Sequence, residues 1–520
     1  MTIQADSLGK RYLFKLASNI ASIPLYLIME GVLPRALGPA SYGNYAFSTI
    51  LFQNFTNFLD MGTSTCLSTS LAKRQREFGL IAFYFRIGIF MLAACLLAGA
   101  ATYLPGASEL IMPGVPAWMA LPAALWAYIT WTGRVARSMN DALGITTRGE
   151  LVRVGVNIFS GMALLALFVS GLLSLPTLFL HQYATLGLMT AGFIFILRRF
   201  WKENVNAESV SWRLSREQLR SYIKEFRRYS SPLFVTALFS ALMLSGERWL
   251  LQFFEGSVQQ GYFSLSQKLG AACFLFVTAI TPLLMREMAV AHGNKDRSAI
   301  AGLLDRYAPM VYAFSAWLAC FILIEAQAVV NLFGGKQFAE AMLPVQIMAL
   351  YPVHQGYGQL AGAVFYAAGE TRLLRNLTIA TTSLGLVFAW FMLAPAKMGG
   401  LQLGATGLAL KMVLVQMVAV NLLFFFGRKI APFGFLRNLV HQVICLAVLL
   451  GLAYITRHVT LFAGLGSGSS IPRFFCSGIL YVLLSIPLAF VFPFVFGLAK
   501  GEARLRVVQA AAYIKKKKSG

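Results

Sequence analysis

Apolar residues run along this chain in long unbroken stretches, separated by charged residues or by proline and glycine turns. A helix needs about 20 apolar residues to cross the hydrocarbon core of a bilayer. On that ruler the sequence divides into roughly fourteen runs, near 13–33, 44–71, 79–104, 112–140, 150–172, 175–197, 229–254, 260–287, 305–333, 340–367, 374–395, 403–427, 436–456 and 475–499. The strands of a membrane barrel would alternate apolar and polar residues. Ile87 to Ala101 and Cys273 to Leu284 are apolar on every side instead, so the pattern predicts helices. The expected fold is an all-α polytopic membrane protein with about fourteen transmembrane helices.

Composition supports that reading. The chain is 58% hydrophobic and 12% charged, against about 25% charged in a soluble domain. Its net charge of +24 would suggest nucleic acid in a soluble protein, but the positions of the charges decide otherwise. When loops are assigned to alternate sides, most Lys and Arg fall on the side of the amino terminus. Arg35, Lys336, Lys397, Arg457 and Arg473 fall opposite. By the positive-inside rule both termini are expected in the cytoplasm, with an even number of spans and no nucleic-acid partner. Met1 to Gly9 lacks the features of a cleaved secretory signal. The six cysteines are mostly in apolar spans, without metal-ligand spacing, and are expected as small buried side chains.

Between the sixth and seventh runs, Trp212, Leu219, Tyr222, Ile223, Phe226 and Tyr229 recur at helical spacing among Arg213, Arg216, Arg220, Lys224, Arg227 and Arg228. This predicts a basic amphipathic helix over 203–228 on the anionic lipids of the inner leaflet. An internal repeat flanks it. Gly38-Pro39-Ala40-Ser41-Tyr42-Gly43 follows the first run and Gly256-Ser257-Val258-Gln259-Gln260-Gly261 the seventh; Ala142-Leu143-Gly144 follows the fourth and Ala367-Ala368-Gly369 the tenth. Two parallel six-helix halves are expected, related by an axis along the membrane normal. The expected parts are a first lobe over 1–200, an amphipathic linker over 201–228 and a second lobe over 229–430. Two further spans lie within 431–500, ahead of a basic cytoplasmic tail over 501–520.

Pro34-Arg35-Ala36-Leu37-Gly38-Pro39 with Tyr42, Gly43 and Tyr45, then Leu59-Asp60-Met61-Gly62, resembles the opening of the polysaccharide transporter or Wzx-type flippase family. Tyr229-Ser230-Ser231-Pro232-Leu233, Gly246-Glu247-Arg248-Trp249-Leu250 and Gly261-Tyr262-Phe263-Ser264-Leu265 resemble its seventh and eighth helices, with Glu247 where an Asp usually stands. The resemblance covers roughly residues 10 to 430. It implies membership of the multidrug, oligosaccharidyl-lipid and polysaccharide exporter superfamily, with two parallel six-helix lobes around a central cavity, in the bacterial cytoplasmic membrane. The implied cargo is an undecaprenyl-pyrophosphate-linked oligosaccharide, with polymerase or chain-length machinery as possible partners and a monomer as the working state. Fourteen spans depart from the twelve usual for many Wzx-type proteins and match the lipid II flippase branch. A drug/cation antiporter of the same superfamily and a membrane glycosyltransferase or polymerase remain alternatives.

A charge at the bilayer centre costs on the order of 3 kcal/mol, so ionisable residues inside spans are candidates for function. Asn19, Ser22, Tyr26 and Glu30 form one stripe, and Thr49, Gln53, Asn57 and Asp60 another; either could line the cavity or bind helices together. Arg35, Arg248, Lys268 and Lys411 are expected to converge on the pyrophosphate, with snorkelling as the competing account for Arg35, Arg248 and Lys411. His354 and Gln355 occupy a polar stretch, Tyr351 to Gln359, where Gly356 and Gly358 are expected to break the tenth span. Asp60, then Glu30 and Glu247, are candidates for coupling to H+ or Na+; Asp60 could instead cap a helix or pair with a residue such as Arg86, and Glu247 with a neighbour. No HExxH, GxSxG or P-loop pattern is present, so neither an enzyme nor a metal or nucleotide cofactor is expected.

Overall fold

The computed structural model describes residues 8–75, 77–204, 212–271, 277–463 and 470–498, which are helical and contain no strand. Every apolar run expected to span coincides with a helix or a pair of helices. The first two are one segment, Leu8–Asp60, divided at Gly38 into α1 (8–37) and α2 (39–60). There follow α3 (Thr63–Lys73), α4 (Phe78–Ala101), α5 (Ala120–Ala142), α6 (Thr146–Val169) and α7 (Leu175–Asn204). Segment Arg216–Ala271 divides at Gly256 into α8 (216–255) and α9 (257–271). The chain continues through α10 (Val277–Gly293), α11 (Arg297–Ile324), α12 (Ala326–Phe333), α13 (Met342–Met348), α14 (Tyr351–Ala367), α15 (Thr371–Leu393), α16 (Gly404–Gly427), α17 (Phe435–Phe462) and α18 (Ser470–Val491). Eight of these are individually long and apolar enough to cross a membrane. The protein is a multi-pass membrane protein.

The chain forms two units, Met1–Gly261 and Tyr262–Gly520, so residues 229–261, expected to open the second lobe, belong to the first unit. In that unit α7 packs on α5 and α6; in the second, α16 packs on α14 and α15. The sixth and twelfth spans thus take equivalent places, as a parallel repeat requires.

The repeat is also written in the backbone. Gly38 has φ 73° and ψ 169°, and Gly256 has φ 76° and ψ −174°, a region open essentially to glycine alone. Gly144 and Gly369, with φ 78° and 73°, end their helices in the same αL cap. Ile145 N–H donates to the Asn140 carbonyl at 3.0 Å and Glu370 N–H to that of Phe365 at 2.9 Å, the bond that satisfies the last carbonyls of a helix. Within the first unit, the two Gly-x-x-x-x-Gly motifs pack against each other. A β-carbon on Gly43 would fall on the Ser257 carbonyl, and one on Gly261 on the Pro39 carbonyl. Each motif offers its last glycine to the second residue of the other.

The amphipathic stretch differs from expectation. From Arg216 it is the beginning of α8 and runs unbroken into the seventh span; residues 205–211 and the tail from 499 lie outside the described residues. Tyr222 and Phe226, each 4% exposed, pack on Phe83 and Tyr84 of α4. The Tyr222 hydroxyl donates to Glu77 at 2.5 Å. Glu225 accepts two bonds from Arg74, at 2.6 and 2.8 Å, and one from Ser70 at 2.7 Å. Burial opposes the Glu225 charge, yet the Ser70 hydroxyl and Arg74 guanidinium hold its carboxyl below the usual range. Protein therefore covers Tyr222 and Phe226, Ile223 and Tyr229 of the same stretch remain exposed, and the Arg74–Glu225 pair ties the stretch to the end of α3.

Gly261→Ala is expected to destabilise the protein by about 1–3 kcal/mol, because backbone cannot yield as a side chain can. Gly187→Ala, with no atom within 4 Å of its β-carbon, should be neutral or gain up to ~1 kcal/mol. Thermal unfolding of the full chain in detergent measures both; equal melting temperatures would remove the crossing as a constraint.

Candidate functional site

In the first unit Asn57 and Asp60 share a face of α2, three residues apart, and Trp131 and Arg134 share a face of α5. They meet as two rungs. Trp131 Nε1 donates to Asp60 Oδ1 at 3.0 Å, and Arg134 Nη2 donates to Asn57 Oδ1 at 2.9 Å. Asp60 also accepts from the Tyr84 hydroxyl (3.2 Å), Thr63 Oγ1 (3.1 Å), Ser64 N–H (3.2 Å) and Ser64 Oγ (2.7 Å). The chain turns sharply at Met61 and Gly62, with φ 43° and 77°, which brings the carboxylate to the amino-terminal turn of α3, where negative charge is favoured. Asp60 thus caps α3 and ties α2 to α4 and α5. Arg86, exposed on α4, supplies none of these bonds.

A second cluster joins α1, α5 and α6. Glu150 is 1% exposed and accepts from Arg137 Nη2 at 2.5 Å and Arg153 Nε at 2.7 Å. Arg153 Nη2 also donates to Asn19 Oδ1 at 2.9 Å, and Lys15 pairs with Asp141 at 3.0 Å. A buried carboxylate held by two guanidiniums is stable only while both remain. Across the two clusters, Lys15, Arg134, Arg137 and Arg153 face Asp60, Asp141 and Glu150, one cation in excess. Two of these cations share Glu150, whereas Arg134 donates to the neutral amide of Asn57, feels the charge of Asp60 and has an exposed side chain.

The remaining candidates are divided. In the first unit Glu30, Glu247 and Arg248 are buried, at 7%, 8% and 6% exposure, and Arg248 lies within electrostatic reach of Glu247 and Tyr42. Beside it, Trp249 and Gln252 donate to the carbonyls of Leu110 and Pro113. Tyr26 and Arg35 are exposed and Gln53 is half-buried. The stripe from Asn19 to Glu30 thus does not present a uniform inner face. In the second unit Lys411 is 5% exposed, its ammonium 3.2 Å from where a β-carbon on Gly385 would stand, and Lys268 is half-buried. Neither Arg248 nor Lys411 snorkels.

The expected break in the tenth span is corrected. Helix α14 runs unbroken through Gly356 and Gly358, and the chain turns earlier, between α13 and α14. Gly358 serves close packing: a β-carbon there would stand 2.6 Å from Val420 Cγ2. His354 is 4% exposed and Gln355 half-buried.

The residues sequence reading missed are Trp131 and Tyr84, the Glu150 cluster, His441, and Glu325, which is 1% exposed at the end of α11. Glu150 opens one apolar run and Glu325 lies inside another, so the cost of burying charge could have flagged them. The aromatic donors carry no such signal.

The sequence profile of the family described as polysaccharide biosynthesis protein matches residues 8–285. The chain belongs to that family. No curated protein sequence matches it. Among solved structures, the lipid II flippase MurJ in an inward closed conformation is similar with a TM-score of 0.64 and 13% identity, over 92% of this chain and 99% of that one. An inward-facing multidrug resistance MATE family transporter of the MOP superfamily follows at TM-score 0.58 and 18% identity, over 82% and 94%. A MOP superfamily transporter from Pyrococcus furiosus, described by the reversed polarity of its binding pocket, gives 0.51 and 18%, over 82% and 98%. This member of the polysaccharide biosynthesis family therefore has the MOP superfamily fold.

Glu150→Gln is expected to cost about 3–5 kcal/mol, because it strands two arginines beside a buried neutral group. Adding Arg137→Gln should recover part of that loss. Melting temperatures of the two variants in detergent test this; an unchanged single variant would mean the pair carries no stability.

Proposed function

We propose that this protein is a flippase that moves a polyprenyl-pyrophosphate-linked oligosaccharide from the cytoplasmic to the outer leaflet of a bacterial cytoplasmic membrane. It works by alternating access and without ATP of its own. Family membership supports a role in polysaccharide assembly, and the fold is one that a lipid flippase also uses. Both termini are cytoplasmic in this reading, which places the Asp60 and Glu150 clusters in the inner half of the first unit.

The observation that carries the proposal is Arg134, an exposed guanidinium hydrogen-bonded to a neutral amide rather than to a carboxylate. A pyrophosphate leaving water needs charged donors, and a guanidinium supplies two in a fork that fits phosphate oxygens. A drug/cation antiporter would need the opposite, a carboxylate open to its cargo. Here Asp60 is already engaged by Trp131, Tyr84, Thr63 and Ser64. The buried carboxylates Glu30 and Glu247 are the remaining acidic candidates for ion coupling in the first unit.

Binding to the purified full chain tests the site. Undecaprenyl pyrophosphate should bind, neutral undecaprenol should bind far more weakly, and Arg134→Gln should lower pyrophosphate affinity about ten- to a hundredfold, the worth of one charge-assisted hydrogen bond. A folded Arg134→Gln protein that binds as the wild type does, or equal binding of a lipophilic cation, would overturn the assignment.

A further inference from the structure

The second unit holds a buried polar cluster that the anion site does not use. Tyr312 of α11, fully buried, lies between two imidazoles. His354 of α14 meets its ring at 5.9 Å between centroids and His441 of α17 at 6.2 Å, both edge-on; Tyr357 approaches at 5.6 Å. His354 and His441 are 4% and 2% exposed. Among the described residues no protein group bonds to His354 Nδ1, His441 Nε2, the Tyr312 hydroxyl, Ser315 Oγ or either side-chain polar atom of Asn438. Buried polar atoms are nearly always satisfied by protein or by internal water. So many together, around two imidazoles, make this a place where internal water can meet a titratable ring.

The cluster has a direction. Asn438, His441, Gln442 and Cys445 share one face of α17, which begins at the Arg437–Asp305 ion pair, 3.0 Å long and 58% and 30% exposed. From that end a polar file leads inward through Asn438 and Gln442 to His441, Tyr312 and His354. The titratable and charged groups around it are few. Helix α11 brings Asp305, Tyr312 and Cys320; α14 brings Tyr357; α17 brings Arg437 and Cys445; α18 brings Tyr481. Lys411 of α16 is turned to Gly385, and on α10 Arg286 and Glu287 pair with each other at the surface. The one carboxylate among them, Asp305, is held by Arg437 and the Gly434 N–H.

We propose that the His354–Tyr312–His441 cluster is an internal proton-exchange site of the second unit, reached from its basic end, through which a pH gradient biases transport. A proton from water adds to an imidazole ring nitrogen and leaves to water again; no other bond changes. With no free carboxylate beside it, the imidazolium must be hydrated to persist. Protonation and water entry therefore go together, and a state open to water at the basic end binds the proton better than a closed one. That differential affinity is what lets a gradient shift a conformational equilibrium. The inference rests on the transport reading for its consequence, but not for the site itself.

Two measurements on the full chain separate these. In protein labelled with 13C,15N-histidine, the ring signals lost in His354→Gln and His441→Gln should begin to convert from neutral imidazole to imidazolium between pH 8 and pH 4, at lower pH than an exposed histidine. Exposed His292 serves as an ordinary reference. Both cluster signals remaining neutral down to pH 4 would overturn the proposal, even if either variant folds poorly. In proteoliposomes, the ratio of glycan-lipid transport with and without an imposed pH gradient should fall to about one in a folded variant, whatever its absolute rate. A ratio equal to wild type would also overturn it, whereas wild-type protein that transports no glycan lipid would instead remove the function proposed above.

Discussion

A charge inside a bilayer has to be matched, and that requirement shapes both units. It explains why Glu150 lies between Arg137 and Arg153, and why Asp60 gathers donors from α3, α4 and α5. An isolated ion in a low-dielectric interior costs several kcal/mol. Glu150 and Asp60 are therefore also fasteners between helices that have no hydrophobic reason to prefer one another in lipid. Arg134 differs from the other arginines of the two clusters in that it bonds to a neutral amide and is exposed, and the functional argument begins there.

Close backbone approach is the second constraint. Where charges do not join helices, small residues let them touch, as at Gly43 and Gly261 or where Gly385 admits the Lys411 ammonium. Two hinge glycines with the same left-handed conformation, Gly38 and Gly256, introduce the helices that cross at Gly43 and Gly261. One ancestral half explains both features: a duplicated segment keeps its hinge and its small-residue contact together.

Much of the fold was legible in the sequence, because hydrophobic run length and glycine spacing are local properties. The helices followed from the first, and the repeat from the second, at the very glycines whose φ is positive. In the linker, amphipathic periodicity says that a face is covered but not by what, nor that the helix continues into the next span. Tyr222 and Phe226 found α4 instead of lipid. The tenth span was misread because glycine within a helix can mean either a break or a tight contact, and Gly358 makes the contact. In the site, Asn57 and Asp60 were visible as a stripe. Their partners Trp131 and Arg134 were not, since pairing between helices far apart in sequence depends on the tertiary register. Arg248 and Lys411 were sensed as costly charges, yet the spans alone could not distinguish burial from snorkelling.

The account comes down to whether an exposed arginine in a MOP fold serves a glycan lipid. The most direct measurement follows a labelled polyprenyl-pyrophosphate oligosaccharide in sealed proteoliposomes, using a membrane-impermeant lectin to count molecules in the outer leaflet. Glycan lipid initially confined to the inner leaflet should reach the lectin at a rate proportional to protein, and a lipophilic cation should not be exported. Folded protein that exports the cation and leaves the glycan lipid where it started would contradict the account.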